Sequence, residues 1–344
     1  MNLSVSGHSP SKTDLELEIE RLYEKMKILH WTKEDCELIA PLTWEINHLK
    51  KEKDAVILAH SYQLPQIIFG VADYVGDSYS LSRQAMDVQA DTIVFCGVEF
   101  MAETAKILNP EKRVLLPSLK AGCSLAEGIS VEDVKNLRNE YPGVPIACYV
   151  NTSAAVKAEC DVCVTSSNAI EIIKKLDSDK VIFVPDRHMM KNLGPLTGKD
   201  IIGWDAECIV HDQFTGEQVQ QLRSENAGIK ILAHTECDPS VVLEADYVGG
   251  TSGMIKYVRT SNEDSYALIT ECGLSDRLKV EFPNKTILGS CVLCPYMKAI
   301  NLENTLEVLR SPQPEQIIEI PLDIASRAKA SLKKMFEMTS SPRS

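Results

Sequence analysis

One series of local patterns runs three times along this chain, with equivalent positions 85 to 89 residues apart. A β-branched run ending in a polar loop occurs as AVILAHSYQ, PIACYVNTS and IKILAHTEC. An acidic residue, a short apolar run and a hydroxyl-rich turn follow in ADYVGDS, CDVCVTS and ADYVGGTS. Then come TIVFCG, KVIFVP and YALIT, and each unit closes on a cysteine in LKAGCSLA, WDAECIVHD and SCVLCPYM. His60 to Tyr149 spans 89 residues and Tyr149 to His234 spans 85. Ser78 to Ser166 spans 88, and Ser166 to Ser252 spans 86. Cys123 to Cys208 spans 85, and Cys208 to Cys294 spans 86. Three parallel series at one period indicate a triplicated supersecondary unit.

Each unit alternates short buried-strand patterns with helical stretches, which predicts parallel sheets covered by helices. The strands expected are AVILAH, TIVFCG, RVLLP, VPIACYV, KVIFVP, IKILAH, YALIT and KTILG. The fold class is therefore α/β, with three pseudo-symmetric αβα domains of parallel sheet around a pseudo-threefold axis. The expected divisions are an N-terminal extension at 1–53, repeats at 54–143, 144–227 and 228–300, and a helical segment and tail at 301–344. Residues 1–12 are polar and expected to be disordered. Thr13 and Glu16 suggest a capping box for a first helix, and a second helix is expected from Thr32 to about Lys51. After residue 301 the pattern is helical, with a loop around SPQPEQ.

This architecture implies a site. Ligands of open α/β sheets bind beyond the carboxyl ends of the strands. Three such sheets about one axis would aim those ends at a common centre. Each would deliver a polar strand end, a hydroxyl-rich helix start and a cysteine. His60, Tyr62, Tyr149, Asn151, His234 and Glu236 all fall at such strand ends. Glu236 is the best general base, Tyr62 an acid or base, and Tyr149 and Asn151 substrate hydrogen-bonders. Ser78, Ser166 and Thr251 open expected helices, where free N–H groups and the helix dipole favour an anion. His211, three residues after Cys208, is read as a supporting residue. Asp186 and His188 lie outside the strand-end pattern and receive no role.

Eleven cysteines without a secretory signal do not read as a disulfide framework. Cys123, Cys208 and Cys294 would converge, and three thiolates suit zinc with an open position or a [4Fe–4S] cluster with one free iron. Spacing alone does not separate the two. Cys96, Cys148, Cys160, Cys163 and Cys272 read as packing residues, with Cys160 and Cys163 placed in one strand. Cys237 lies beside the site loop. Cys291 could pair with Cys294 under oxidation. The chain has 36 Lys and Arg against 49 Asp and Glu, a net charge of −13. That balance argues against a nucleic-acid or anionic-membrane binder. No apolar run is long enough to span a membrane, so a cytoplasmic protein is expected.

The motifs AHSYQ with GDS, FMAETAKILNP leading into AGCSLA, YVNTSAAVKA with TSSNA, CIVHDQF, HTECDP with GGTSGMI, and CPYMKAIN closely resemble the quinolinate synthase family. The resemblance covers residues 54–301. It implies three αβα domains with the active site at their junction. It also implies one oxygen-sensitive [4Fe–4S] cluster per chain, held by Cys123, Cys208 and Cys294 with one iron open. The implied reaction condenses iminoaspartate with dihydroxyacetone phosphate to quinolinate, phosphate and two waters, a transferase step toward NAD. His60, Ser78, Tyr149, Val150, Asn151, Ser166, His234, Thr235, Glu236 and Thr251 fall on the family's substrate positions. Glu236, His60 and Tyr62 would be catalytic. Ser78, Tyr149 and Asn151 would hold the dicarboxylate, and Ser166 and Thr251 the phosphate. An L-aspartate oxidase or dehydrogenase would supply iminoaspartate. The first ~50 residues extend beyond compact members. Gly250 stands where some members carry a hydroxyl residue. Two rivals remain open at this point: another cluster-dependent hydro-lyase, or an iron–sulfur or zinc redox sensor working through Cys291 and Cys294.

Overall fold

The computed structural model describes residues 9–339. Of the residues expected to be disordered, 1–8 lie outside the described residues, as does the end of the polar tail, whereas Ser11 caps the first helix and Lys12 begins it. Twelve strands form three four-stranded sheets, each wholly parallel. The first holds β1 (Ala55–His60), β2 (Tyr74–Gly76), β3 (Thr92–Cys96) and β4 (Arg113–Leu115). The second holds β5 (Ile146–Tyr149), β6 (Val162–Val164), β7 (Lys180–Val184) and β8 (Asp200–Ile202). The third holds β9 (Lys230–His234), β10 (Tyr247–Gly249), β11 (Ser265–Ile269) and β12 (Thr286–Gly289). All three sheets share one order, second strand, first, third, fourth. The first strand of each is buried along most of its length, as an interior parallel strand must be.

The acid of each repeat's second motif has a structural task. Asp73, Asp161 and Asp246 each accept the N–H of a first-strand residue, Ile57, Ile146 and Ile231, at 2.8 Å in every case. Each also pairs with a base on the preceding helix: Lys50 at 2.8 Å, Arg138 at 3.2 Å and Arg223 at 3.0 Å. The same carboxylate thus ties strand to helix three times over.

The three-residue strands β2, β6 and β10 correspond to the short apolar runs of the repeat, whereas β8 had no sequence signal beyond Ile201 and Ile202. Two local expectations need correction. The first helix, Lys12–Met26, is capped by Ser11 and Asp14, not Thr13 and Glu16. Ser11 stands one residue before the helix, where its hydroxyl meets the Asp14 N–H at 3.1 Å. Cys160 precedes β6, so it does not share a strand with Cys163. Cys163 is instead in register with Cys148 on β5, and both are buried.

The second helix, Lys33–Glu52, begins after Thr32 as expected. Its Glu45 forks with Arg310 of the helix Leu302–Arg310, at 2.8 and 2.6 Å. The segment after it pairs along β4, where Ile318 N–H meets the Val114 carbonyl at 2.9 Å. The last helix, Leu322–Thr339, returns to the second repeat, with Ser331 donating to the Lys157 carbonyl at 3.0 Å. No helix among the described residues is long and apolar enough to cross a membrane.

Candidate active site

β1, β5 and β9 end on His60, Tyr149 and His234, and all three side chains line one cavity. Tyr62, Asn151 and Glu236, each two residues beyond a strand end, line it too. So do Ser78, Ser166 and Thr251. Val150 and Thr235 do not: the Val150 N–H goes to the Val164 carbonyl, and the Thr235 carbonyl accepts from Asn192.

The hydroxyl turns need one correction of register. β2, β6 and β10 end at Gly76, Val164 and Gly249, so Thr251 and not Ser252 is the counterpart of Ser78 and Ser166. Ser78 and Thr251 are the first residues of the helices Ser78–Asp87 and Thr251–Thr260. In the second repeat a turn intervenes, and the helix starts only at Ala169. Asp77 binds all three turns together. Its carboxylate accepts the Ser80 N–H at 2.8 Å and the Ser167 hydroxyl at 3.0 Å, and it also accepts from Ser252. Burial works against its charge, but these donors hold its pKa below the usual carboxylate value.

A continuous hydrogen-bond chain crosses the repeats. Tyr149 donates to one Glu236 oxygen, and the His211 Nδ1 lies 2.8 Å from the other. His211 Nε2 is 2.9 Å from Thr270 Oγ1, which is 2.8 Å from the Tyr62 hydroxyl. Thr251 Oγ1 donates to that same hydroxyl at 3.1 Å. The His211 ring stacks on His234 with centroids 4.3 Å apart. Glu236, ionised, can only accept, so His211 Nδ1–H points to it, and Thr270 Oγ1 joins His211 Nε2 to the Tyr62 hydroxyl.

Burial dominates the electrostatics. It lowers His60 to about 4 and His234 to about 3, so both rings are neutral at pH 7. It also pushes the Tyr62 and Tyr149 phenols well up. Burial opposes ionisation of Glu236 as well, yet its pKa is held far below the carboxylate range. Since His234 is neutral at pH 7, the hydrogen bonds from His211 and Tyr149 are what keep Glu236 charged. Asn151 Oδ1 and Thr165 Oγ1 line the cavity, buried, with no hydrogen-bond partner among the described residues. Such atoms are costly unless something binds there.

Cys123, Cys208 and Cys294 line one side of this cavity. The three sulfurs are held alike. Each accepts the backbone N–H groups two and three residues ahead: Leu125 and Ala126, Val210 and His211, Tyr296 and Met297. The turns are also linked to one another. Ser124 Oγ donates to the Glu207 carbonyl at 2.9 Å and accepts the Ile209 N–H, and Tyr296 donates to Glu127 at 3.0 Å. A Cβ at Gly122 would press on the Glu127 carboxylate, which is exposed and can swing aside, and would lie 3.2 Å from the Tyr296 ring. As free thiols all three are pushed up by burial, Cys123 to about 12. A pair of N–H groups facing each of three half-buried sulfurs nevertheless suits thiolates on a cationic centre. Cys208, His211 and Glu236 also lie close enough together to share a metal ion. All eleven cysteines are free, and Cys291 is exposed.

His211, read from the sequence as a supporting residue, is central to the chain of hydrogen bonds, and other residues of the site went unnoticed. Asp77, Thr165 and Glu271 line the cavity. Asp77 sits inside the GDS motif and was within reach of inspection. Asp186 and His188 serve the scaffold: Asp186 caps a helix through the Met189 N–H at 2.6 Å, and His188 Nε2 holds Asp212 at 2.6 Å.

Comparison with known proteins finds a match over residues 44–337 to the family model described as quinolinate synthetase A protein. Quinolinate synthase 1 of Mesorhizobium japonicum is 46% identical over 307 residues, covering 87% of this chain and 94% of the relative. The quinolinate synthase of Xylella fastidiosa strain 9a5c is 48% identical over 291 residues, covering 85% of each chain. That of Caulobacter vibrioides is 41% identical over 329 residues, covering 94% of this chain and 89% of the relative.

Proposed function

The chain belongs to the quinolinate synthetase A protein family, and from that membership we infer a quinolinate-forming transferase of NAD biosynthesis acting on small molecules. The reaction is the condensation of iminoaspartate with dihydroxyacetone phosphate, giving quinolinate, phosphate and two waters. The observation that carries this reading is one cavity lined by three alike-held thiols, three hydroxyl turns and the Glu236 hydrogen-bond chain.

Cys123, Cys208 and Cys294 would hold a [4Fe–4S] cluster, and the paired N–H groups at each sulfur fit that task. When bound, such a group supplies a Lewis acid for loss of a hydroxyl. Glu236, ionised and without a proton of its own, takes a proton from substrate carbon or nitrogen. Tyr62, held by Thr251 and Thr270, presents its hydroxyl to the cavity, where it meets a substrate hydroxyl. His60, neutral and packed edge-on against Tyr62 at 4.5 Å, serves proton transfers at the carbonyl of the triose. Ser78, Tyr149 and Asn151 hold the dicarboxylate; the free Asn151 Oδ1 is suited to an imine N–H. Ser166 and Thr251 receive the phosphate, with the N–H groups of the helix beginning at Thr251 behind it. Val150 and Thr235 would act through their backbone, since their side chains lie off the cavity. This reading keeps the divisions 54–143, 144–227 and 228–300 as the three repeats. It also places the enzyme in the cytoplasm, supplied by an L-aspartate oxidase or dehydrogenase.

The test is anaerobic turnover of iminoaspartate and dihydroxyacetone phosphate, with quinolinate read by mass. Wild type should form it, and Cys294→Ser and Glu236→Gln should not. A wild-type preparation with full iron and sulfide that makes no quinolinate would overturn the assignment.

A further inference from the structure

Glu271 follows β11 by two residues, and its side chain is wholly buried. Its Oε2 accepts the Gly273 N–H at 2.7 Å. Its Oε1 faces two donors, the Lys298 ammonium at 2.9 Å and the Cys294 backbone N–H at 3.3 Å. Lys298 Nζ also donates to the carbonyl of Tyr62, in the first repeat. The residue before Lys298 is tied to the same segment, since Gln63 Nε2 donates to the Met297 carbonyl at 2.9 Å. Lys298 ends the short helix Pro295–Lys298, which Cys294 immediately precedes. One charge pair therefore joins the Cys294 turn, the end of β11 and the Tyr62 segment.

The other repeats lack this device. The equivalent positions two residues past β3 and β7 are Val98 and Asp186. Val98 carries no charge, and Asp186 accepts a helix N–H instead. The Cys208 turn has a brace of another kind, the partly exposed Arg187 against Glu207 and Asp212, and the Cys123 turn is tied through Glu127 and Tyr296, so neither has a buried acid–lysine pair behind it. A buried ion pair is also a poor source of stability, because desolvation offsets the attraction. Its presence in a single repeat, where a thiol turn meets the residue proposed as acid or base, calls for a positional role.

We propose that Glu271 and Lys298 form a positioning pair that fixes the Cys294 turn against the Tyr62 segment, setting the distance between the metal-holding and proton-handling sides of the site. The proposal rests on the reading of Cys294 as a metal ligand. Glu271 reaches the turn through the N–H of Cys294, and Lys298 reaches Tyr62 through its carbonyl. Neither needs to touch substrate to do this.

The experiment compares wild type, Lys298→Met, Lys298→Arg and Glu271→Gln/Lys298→Met, all purified anaerobically. Three quantities are read: iron release to a chelator over time, kcat and KM for both substrates, and the melting temperature. Lys298→Met strands the Glu271 charge and is expected to lower the melting temperature; the double variant removes that charge and should recover it. Both should still release iron about tenfold faster than wild type or more, the usual effect of losing a partner that orients a ligand. Both should lose kcat with KM changed less than about threefold. Lys298→Arg should restore most of the iron retention. A double variant that keeps iron and kcat at wild-type levels overturns the proposal, since charge balance would then be the pair's whole role. Wild type that takes up no iron would instead overturn the cluster reading itself.

Discussion

Thr270→Val is the most informative single change, because it removes one hydroxyl from the middle of the chain that joins Glu236 to Tyr62. Thr270 is fully buried, and valine keeps its shape while deleting the oxygen. Two contacts go at once: 2.9 Å to His211 Nε2 and 2.8 Å to the Tyr62 hydroxyl. Tyr62 keeps Thr251 as a partner, but His211 Nε2 is left buried and unpaired. An orphaned buried polar group costs ~1–3 kcal/mol, and the second lost hydrogen bond adds ~1 kcal/mol. Unfolding in denaturant should therefore show ~2–4 kcal/mol of lost stability. The Tyr62 hydroxyl loses one of the two partners that set its orientation at the cavity. If half of the lost energy is felt in the transition state, kcat falls ~5- to 30-fold, at 1.4 kcal/mol per tenfold. Thr270→Ser should restore both quantities. Anaerobic steady-state kinetics and a urea titration check this. A valine variant within about twofold of wild-type kcat, with less than ~0.5 kcal/mol of destabilisation, would refute the chain as a working unit.

Other expectations follow from the same geometry. Glu236→Gln should keep its iron and sulfide yet lose ~100-fold or more in kcat, because the amide cannot take a proton; retained turnover would remove Glu236 as the base. His60 is neutral in the fold at any pH above about 4, whereas the unfolded chain binds its proton near pH 6.5. Stability should therefore fall as pH drops from ~7 toward 4, by ~3 kcal/mol for this group at ~1.4 kcal/mol per pKa unit. Denaturant titrations across that range, with His60→Gln flattening the dependence, would check it. Asp77→Ala should loosen all three hydroxyl turns together and raise KM for dihydroxyacetone phosphate more than it lowers kcat; an unchanged KM would rule out that clasp. Chelation of iron should abolish turnover while far-UV circular dichroism shows the sheets intact, since their cores do not depend on the thiols.

The triplication was legible because each unit buries the same kind of strand at the same point. A period in the sequence is then a direct image of a repeated core. The three thiols were legible for the same reason, as were His60, Tyr149 and His234. The offset between Thr251 and Ser252 shows where this reading weakens. Both are hydroxyl residues in one turn, and only the end of β10 at Gly249 decides which faces the cavity. Residues that act across repeats were not legible. Thr270 lies 208 positions from Tyr62, with no periodicity relating the two, and although Asp77 and Ser167 sit in equivalent turns, the pattern does not show that one clasps the other. Their importance arises from where three sheets meet, and a single strand's pattern carries no record of that meeting. Glu271 and Lys298 escaped notice too, because an acid and a lysine 27 positions apart are ordinary until burial makes them unusual.

The alike-held sulfurs also raise a question of parity. A structure built from three copies of one motif can offer matching donors in threes, never in fours. Metal centres bound by thiolate commonly seek a tetrahedral set. Triplication therefore leaves one corner that no copy of the motif can fill. With Cys123, Cys208 and Cys294 as the ligands, that corner would be left to the cavity that Glu236 and the tyrosines also line. In a twofold or fourfold arrangement the protein could have completed the set itself and shielded the centre. On the proposed reading, an odd number of repeats would leave one vacancy open to a small molecule, and reactivity would be a consequence of counting.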